Sequence, residues 1–155
     1  FSFKKLLLLQ GIHPENETYQ YFAPKIKNGE IIALGFVPTE QLKAIYKKAT
    51  LYVQPSYYEG FGLSLLEAMA SKCLTISSNG GSLSELKSDQ SLIFDPYNQT
   101  SFYQELKNAL NLKESVREKI ISSQFNKSKE YSWDKVADQT ISVYKKVIKW
   151  NFFLP

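Results

Sequence analysis

Glu59 and Glu67 stand eight positions apart in Ser56 to Lys72, "SYYEGFGLSLLEAMASK". An ionised carboxylate only accepts hydrogen bonds, and pairs of sugar hydroxyls are matching donors. Between the glutamates lies Gly60-Phe61-Gly62. Those glycines let the chain turn tightly and let a ligand approach the backbone. If the apolar run after Gly62 is a helix, the amides of Leu63 and Ser64 are unpaired donors at its N-terminus, which favours an anion such as phosphate. Glu67 then lies about one turn into the helix and can face the same crevice as Glu59. One glutamate at a reacting sugar, phosphate at the helix start and the other glutamate at a ribose together describe a nucleotide sugar. The spacing alone equally admits a turn followed by a core helix.

Such a site needs strands to deliver it and helices to cover them. Short apolar runs alternate with amphipathic stretches along the chain. "KLLLLQG" reads as a buried strand stopped by Gly11, and "GEIIALGFV", "LYVQPS", "CLTISSN" and "SLIFDP" as four more. Pro55 ends the third strand and Gly80-Gly81 the fourth. "ENETYQYFAPKI" reads as a short helix interrupted near Pro24, because proline disfavours helix at the residue before it. "PTEQLKAIYKKAT" is a helix with Thr39 as its cap and Leu42, Ile45, Tyr46 and Ala49 on one face. "TSFYQELKNALNL" turns Phe102, Leu106, Ala109 and Leu110 inward, and Ser132 caps a last long helix. Apolar strands separated by helices predict an α/β fold, a Rossmann-like doubly wound parallel sheet with helices on both faces. Ligands of such sheets bind beyond the carboxyl ends of the strands.

The chain has 155 residues, the length of one domain, here 1–155, with a helical segment at 126–155 expected to pack back on it. Hydrophobic residues make up 43% and charged residues 22%, the balance of a globular protein. The longest aliphatic run, Leu6 to Leu9, is far short of a membrane span, and the first residues lack a signal peptide's cleavage site. The chain does not begin with Met and reads as a fragment. With one cysteine, Cys73, there is no internal disulfide and no cysteine cluster for a metal, which fits a reducing cytoplasm. The sequons at Asn16, Asn98 and Asn126 read as chance. The net charge of +4 is carried by lysines, and Arg117 is the single arginine. That argues against a sequence-specific nucleic-acid reader, which favours Arg. His13 precedes Pro14 in a loop, and no G-x-S-x-G elbow accompanies it. The Lys-rich C-terminal region reads as solvated helix faces, with peripheral attraction to anionic lipid at the inner face of a cell membrane as the alternative.

"PSYYEGFGLSLLEAMASKCLTISSNGGSLSE", Pro55 to Glu85, resembles the Glu-x7-Glu phrase of the retaining glycosyltransferases of the GT-B fold, family 4 (glycosyl transferases group 1). "LGFVPTEQLKAIYKKATLYV", "SLIFDPYNQTSFYQELKNAL" and "YSWDKVADQTISVY" are similar to the family's flanking segments, in register over roughly residues 31 to 147. The resemblance implies the C-terminal, donor-binding half of a GT-B enzyme, without its first strand-helix unit and without the N-terminal acceptor domain. It implies that Glu59 lies at the donor sugar and its reacting centre and that Glu67 holds the ribose hydroxyls. It also implies that Gly60, Phe61 and Gly62 bring backbone to sugar and phosphates, that Leu63 and Ser64 present amides to the diphosphate, and that Val37 lies in a loop reading the base.

The implied reaction transfers a hexose from a UDP-, GDP- or ADP-sugar to a glycan or lipid-linked acceptor with retention, as in bacterial cell-surface polysaccharide and lipopolysaccharide synthesis. It demands no metal and no cofactor. Three departures stand out. Ser64 replaces the family's proline, and Lys72 replaces its glycine. "CLTISS" replaces a more regular strand. The family's Arg/Lys diphosphate clamp has no counterpart, since Lys4 and Lys5 do not match it. A fragment lacking that clamp is expected to be inactive alone. The lack also motivates an alternative, a non-catalytic nucleotide-sugar-binding or interaction module.

Overall fold

Short runs of β-branched and aliphatic residues become strands, and all the pairings between them are parallel. The computed structural model describes residues 6–8 and 14–151. Gly11, His13 and the lysines at 4 and 5 lie outside the described residues. The chain divides into two compact units, Phe1–Ala44 and Ile45–Pro155.

In the first unit, β1 (Leu6–Leu8) pairs with β2 (Ile31–Ala33), with Leu6 opposite Ile31 and Leu8 opposite Ala33. The helix α1 (Glu17–Lys27) connects them and packs on β2. It runs through Pro24 without the expected interruption. Pro24 sits on the exposed face, so the Gln20 carbonyl that loses its partner can be hydrated, and the proline costs one bond rather than the helix. The helix α2 (Thr39–Lys48) follows and continues across the boundary between the units. Leu42 N–H donates to the Pro38 carbonyl at 2.9 Å, so the cap is Pro38 rather than Thr39. Its inward face is the expected one, with Leu42, Ile45 and Ala49 half-buried and Tyr46 buried.

The second unit is built on a three-stranded sheet in the order β3 (Tyr52–Gln54), β4 (Thr75–Ser78), β5 (Leu92–Phe94). Period-two alternation sends neighbouring side chains to opposite faces. Tyr52 joins one apolar cluster with Leu65, Leu66, Met69, Leu83 and Leu86. Leu51 and Val53 join another with Leu74, Ile76, Phe94, Ala109 and Ile120. The sheet is thus covered on both faces, the doubly wound arrangement read from the sequence. The helix α3 (Leu63–Ala70) supplies the first cluster, and α4 (Gln99–Leu110) the second. Asn98 caps α4, its side chain accepting from Ser101 N–H at 3.1 Å.

Two elements were not anticipated. A 3-10 turn, Gly81–Leu86, follows β4 and buries Leu83 and Leu86. The helix α5 (Glu114–Ser128) packs on α3. The last helix, α6 (Trp133–Asn151), starts as expected, with Ser132 Oγ accepting from Lys135 N–H at 3.2 Å. Of the segment 126–155, Ser128 is buried and Tyr131 half-buried, whereas side chains from Ser132 to Ile148 are exposed. No helix among the described residues is long and apolar enough to cross a membrane.

Candidate functional site

The motif begins where β3 ends. Pro55 stops the strand, and the chain turns from Ser56 to Gly62 before α3 begins at Leu63. This turn is fixed from behind by the β4 loop. Ser78 Oγ donates to the Ser56 carbonyl at 2.5 Å. Ser82 donates twice to the Glu59 carbonyl, from its N–H at 3.1 Å and from Oγ at 3.0 Å. The approach is so close that a Cβ on Gly80 would stand 2.2 Å from the Tyr57 carbonyl oxygen. The Gly80-Gly81 pair therefore does more than end a strand: it lets two loops touch backbone to backbone.

Glu59 is then held by its side chain. Its Oε1 accepts from Gln54 Nε2 at 2.8 Å and from Ser56 Oγ at 2.7 Å. Gln54 Nε2 also reaches Ser56 Oγ at 2.9 Å, and the Tyr52 hydroxyl donates to Gln54 Oε1. Sequence reasoning passed over Gln54, Ser56 and Tyr52. The signal was present: a glutamine inside the apolar run "LYVQP" must find partners if it is buried.

Gly62 caps α3 in the left-handed region, φ 95°, with no side-chain cap. A Cβ there would stand 2.7 Å from Leu83 Cδ2, so both conformation and packing demand glycine. The first intrahelical bond runs from Leu66 N–H to the Gly62 carbonyl, which leaves the amides of Leu63 to Leu65 outside the ladder. Gly60 is different: a Cβ on it would meet open space, so packing does not require it. Phe61 is half-exposed and meets Tyr131 edge-to-face at 5.8 Å. Leu63 is exposed and Ser64 half-buried.

Glu67 stands on the exposed side of α3, one turn in, as the spacing implied. Burial raises the Tyr52 hydroxyl far above its usual range, and the nearby Tyr46, Glu59 and Glu67 add to the rise against an opposing hydrogen bond from Ser64. Tyr46 is pushed up to about 12, by burial first and by the Glu67 charge second. Tyr52 is half-buried, and Glu59 and Glu67 are both near enough for their charge to raise its hydroxyl. Tyr46 and Tyr52 pack edge-to-face at 5.5 Å. Val37 belongs to the other compact unit, half-buried in the loop between β2 and α2.

Lys72, where the resembling family has glycine, adopts φ 59°. Its N–H donates to the Met69 carbonyl and that of Cys73 to the Ala68 carbonyl, both at 3.0 Å. This is a Schellman ending of α3 made with a lysine in the glycine position.

Comparison with known proteins agrees with this architecture. The family model described as glycosyl transferases group 1 matches residues 4–126. The O-antigen chain mannosyltransferase B of Escherichia coli is 37% identical over 141 residues, covering 90% of this chain and 37% of that protein. The sucrose-phosphate synthase of Thermosynechococcus elongatus superposes with a TM-score of 0.77 at 22% identity, over 94% of this chain and 39% of that one. The C-terminal domain of a glycosyl transferase group 1 family protein, LpcC, from Francisella tularensis matches at a TM-score of 0.62 and 25% identity, over 76% and 64%. The chain therefore spans little more than a third of the length of the mannosyltransferase it resembles. It has the α/β architecture of GT-B glycosyltransferases, and it belongs to the group 1 glycosyl transferases.

Proposed function

We propose that this chain is the donor-binding part of a retaining glycosyltransferase. In this reading the whole protein moves a hexose from a UDP- or GDP-sugar to a glycan or lipid-linked acceptor in cell-surface polysaccharide synthesis. The likeness to an O-antigen chain mannosyltransferase favours a mannosyl donor. The observation that carries the reading is Glu59, its Oε1 fixed by Gln54 and Ser56 at the turn into α3, with Glu67 exposed one turn into that helix.

The chemistry follows from what these groups can do. Cleavage of the anomeric C–O bond leaves negative charge on the diphosphate and positive character on the sugar. The free amides at the start of α3 are placed to hold the phosphate charge, as helix N-termini do. Open space at Gly60 supports close approach of a sugar or phosphate to the backbone. Glu59, its Oε1 fixed by two neutral donors, orients the sugar, while Glu67 takes the ribose hydroxyls. The acceptor proton goes to a departing phosphate oxygen. This scheme asks for no metal and no separate base.

The test is product analysis with the full-length protein. Incubated with GDP-mannose and a mannosyl acceptor, it should give product whose anomeric configuration, read by NMR, matches the donor's. Glu59→Gln should cut turnover by about a hundredfold or more. Inverted product would refute retention, and unchanged turnover in Glu59→Gln would refute the role of that residue.

A further inference from the structure

We infer that Gln54 is a positioning residue for the transfer reaction, acting through Glu59, and that Tyr52 sets its orientation. The inference rests on the placement of Glu59 at the donor sugar proposed above.

Gln54 is the last residue of β3 and only 9% exposed. A buried primary amide brings two donors and an acceptor that must be satisfied. Its orientation is not free. Glu59 can only accept, so the nitrogen of Gln54 must face the carboxylate, and the oxygen must face Tyr52. Hydrogen bonds therefore run one way, from the Tyr52 hydroxyl to Gln54 and from Gln54 to Glu59. Ser56 joins the same direction, accepting from Gln54 and donating to Glu59.

Both donors reach the same atom, Oε1. The carboxylate is pinned on one side while its other oxygen, Oε2, takes neither bond. The Glu59 main chain is already fixed by Ser82. Gln54 and Ser56 remove the torsional freedom that remains. Both are neutral, so they fix the carboxylate without cancelling its charge, as an arginine or lysine in place of Gln54 would do. A charge meant to act on a developing oxocarbenium is useful only if it is held in place and left unpaired. A glutamine that served packing alone would have no need to direct its amide at a functional carboxylate.

A double-mutant cycle on the full-length enzyme tests this. Gln54→Leu keeps the volume and removes the donor. It should lower kcat about tenfold and move KM for the donor by less than about twofold, since orientation at the reacting centre is lost and binding elsewhere is kept. In a Glu59→Ala background the same change should cost nothing further. Tyr52→Phe removes one hydroxyl and no packing volume. It should lower kcat about threefold in the wild type and not in Glu59→Ala, which provides the measurement if Gln54→Leu melts early. Equal losses in both backgrounds would overturn the inference, and so would an unchanged kcat. Should Glu59→Ala itself turn over like wild type, the donor-site reading falls, and the inference with it. An impaired Glu59→Ala beside an unimpaired Gln54→Leu would overturn the inference alone.

Discussion

Gln124 on α5 holds Thr75 of β4 by both main-chain groups. Its Oε1 accepts from Thr75 N–H at 3.1 Å, and its Nε2 donates to the Thr75 carbonyl at 2.9 Å. Thr75 stands one residue before the first β4–β5 pair, Ile76 with Leu92. The glutamine side chain takes the place of a neighbouring strand there. It is 2% exposed, so nothing else can satisfy those groups if it is removed. Gln124→Leu should destabilise this chain by about 3 kcal/mol, the cost of two buried main-chain groups left unpaired. Chemical denaturation followed by circular dichroism reads it. A loss under about 1 kcal/mol would show that the pair is not worth its desolvation.

That same residue explains why α5 was hidden in the sequence. Its buried positions are Ile120, Gln124 and Ser128, so two of three inward residues are polar and the apolar period fades. The helices α2 and α4 were legible because their inward positions are apolar, and the strands because each carries a short aliphatic run bounded by Pro or Gly, even where β3 and β4 also bury Gln54, Thr75, Ser77 and Ser78. The 3-10 turn was not, since Leu83 and Leu86 stand three apart over too short a stretch to show a period. At the site, Glu59, Glu67 and the glycines could be read from spacing and resemblance. Gln54 was visible only as a polar residue in an apolar run; which groups it meets is a contact that only folding makes.

Lys72 carries the one positive φ outside glycine among the described residues. A β-carbon in the left-handed region costs roughly 1 kcal/mol or more. Lys72 recovers part of that by placing its ammonium 4.9 Å from the centre of the Phe125 ring, an exposed cation–π contact. Lys72→Gly should raise the stability of this chain by about 0.5–1 kcal/mol, read as a higher denaturant midpoint at unchanged m. A lower midpoint would mean that the contact with Phe125 outweighs the backbone strain.

Cys73 and Tyr46 titrate higher in the fold than outside it, as Tyr52 does, which makes the fold sensitive to alkali. Burial pushes the Cys73 thiol up from 9.0 to about 11, against the opposing charge of Arg117. Tyr46 rises from 10.0 to about 12. Both groups hold their protons more tightly folded than unfolded. Their contribution is therefore complete below about pH 9 and is lost as pH rises through 11 and 12. Unfolding free energy measured from pH 8 to 11 should fall with pH above 9. Cys73→Ala should make that fall shallower, and an identical slope in the variant would exclude the thiol as a cause.

The donor site is the core of the functional reading, and calorimetric titration of the full-length protein with GDP-mannose and UDP-glucose probes it directly. At least one should bind, and Glu67→Ala should weaken that binding by about tenfold or more, the loss of charge-assisted bonds to ribose hydroxyls. Circular dichroism would show the variant still folded, because Glu67 is exposed. Binding of neither nucleotide sugar, or equal affinity in Glu67→Ala, would contradict the assignment of this turn and helix as a nucleotide-sugar site.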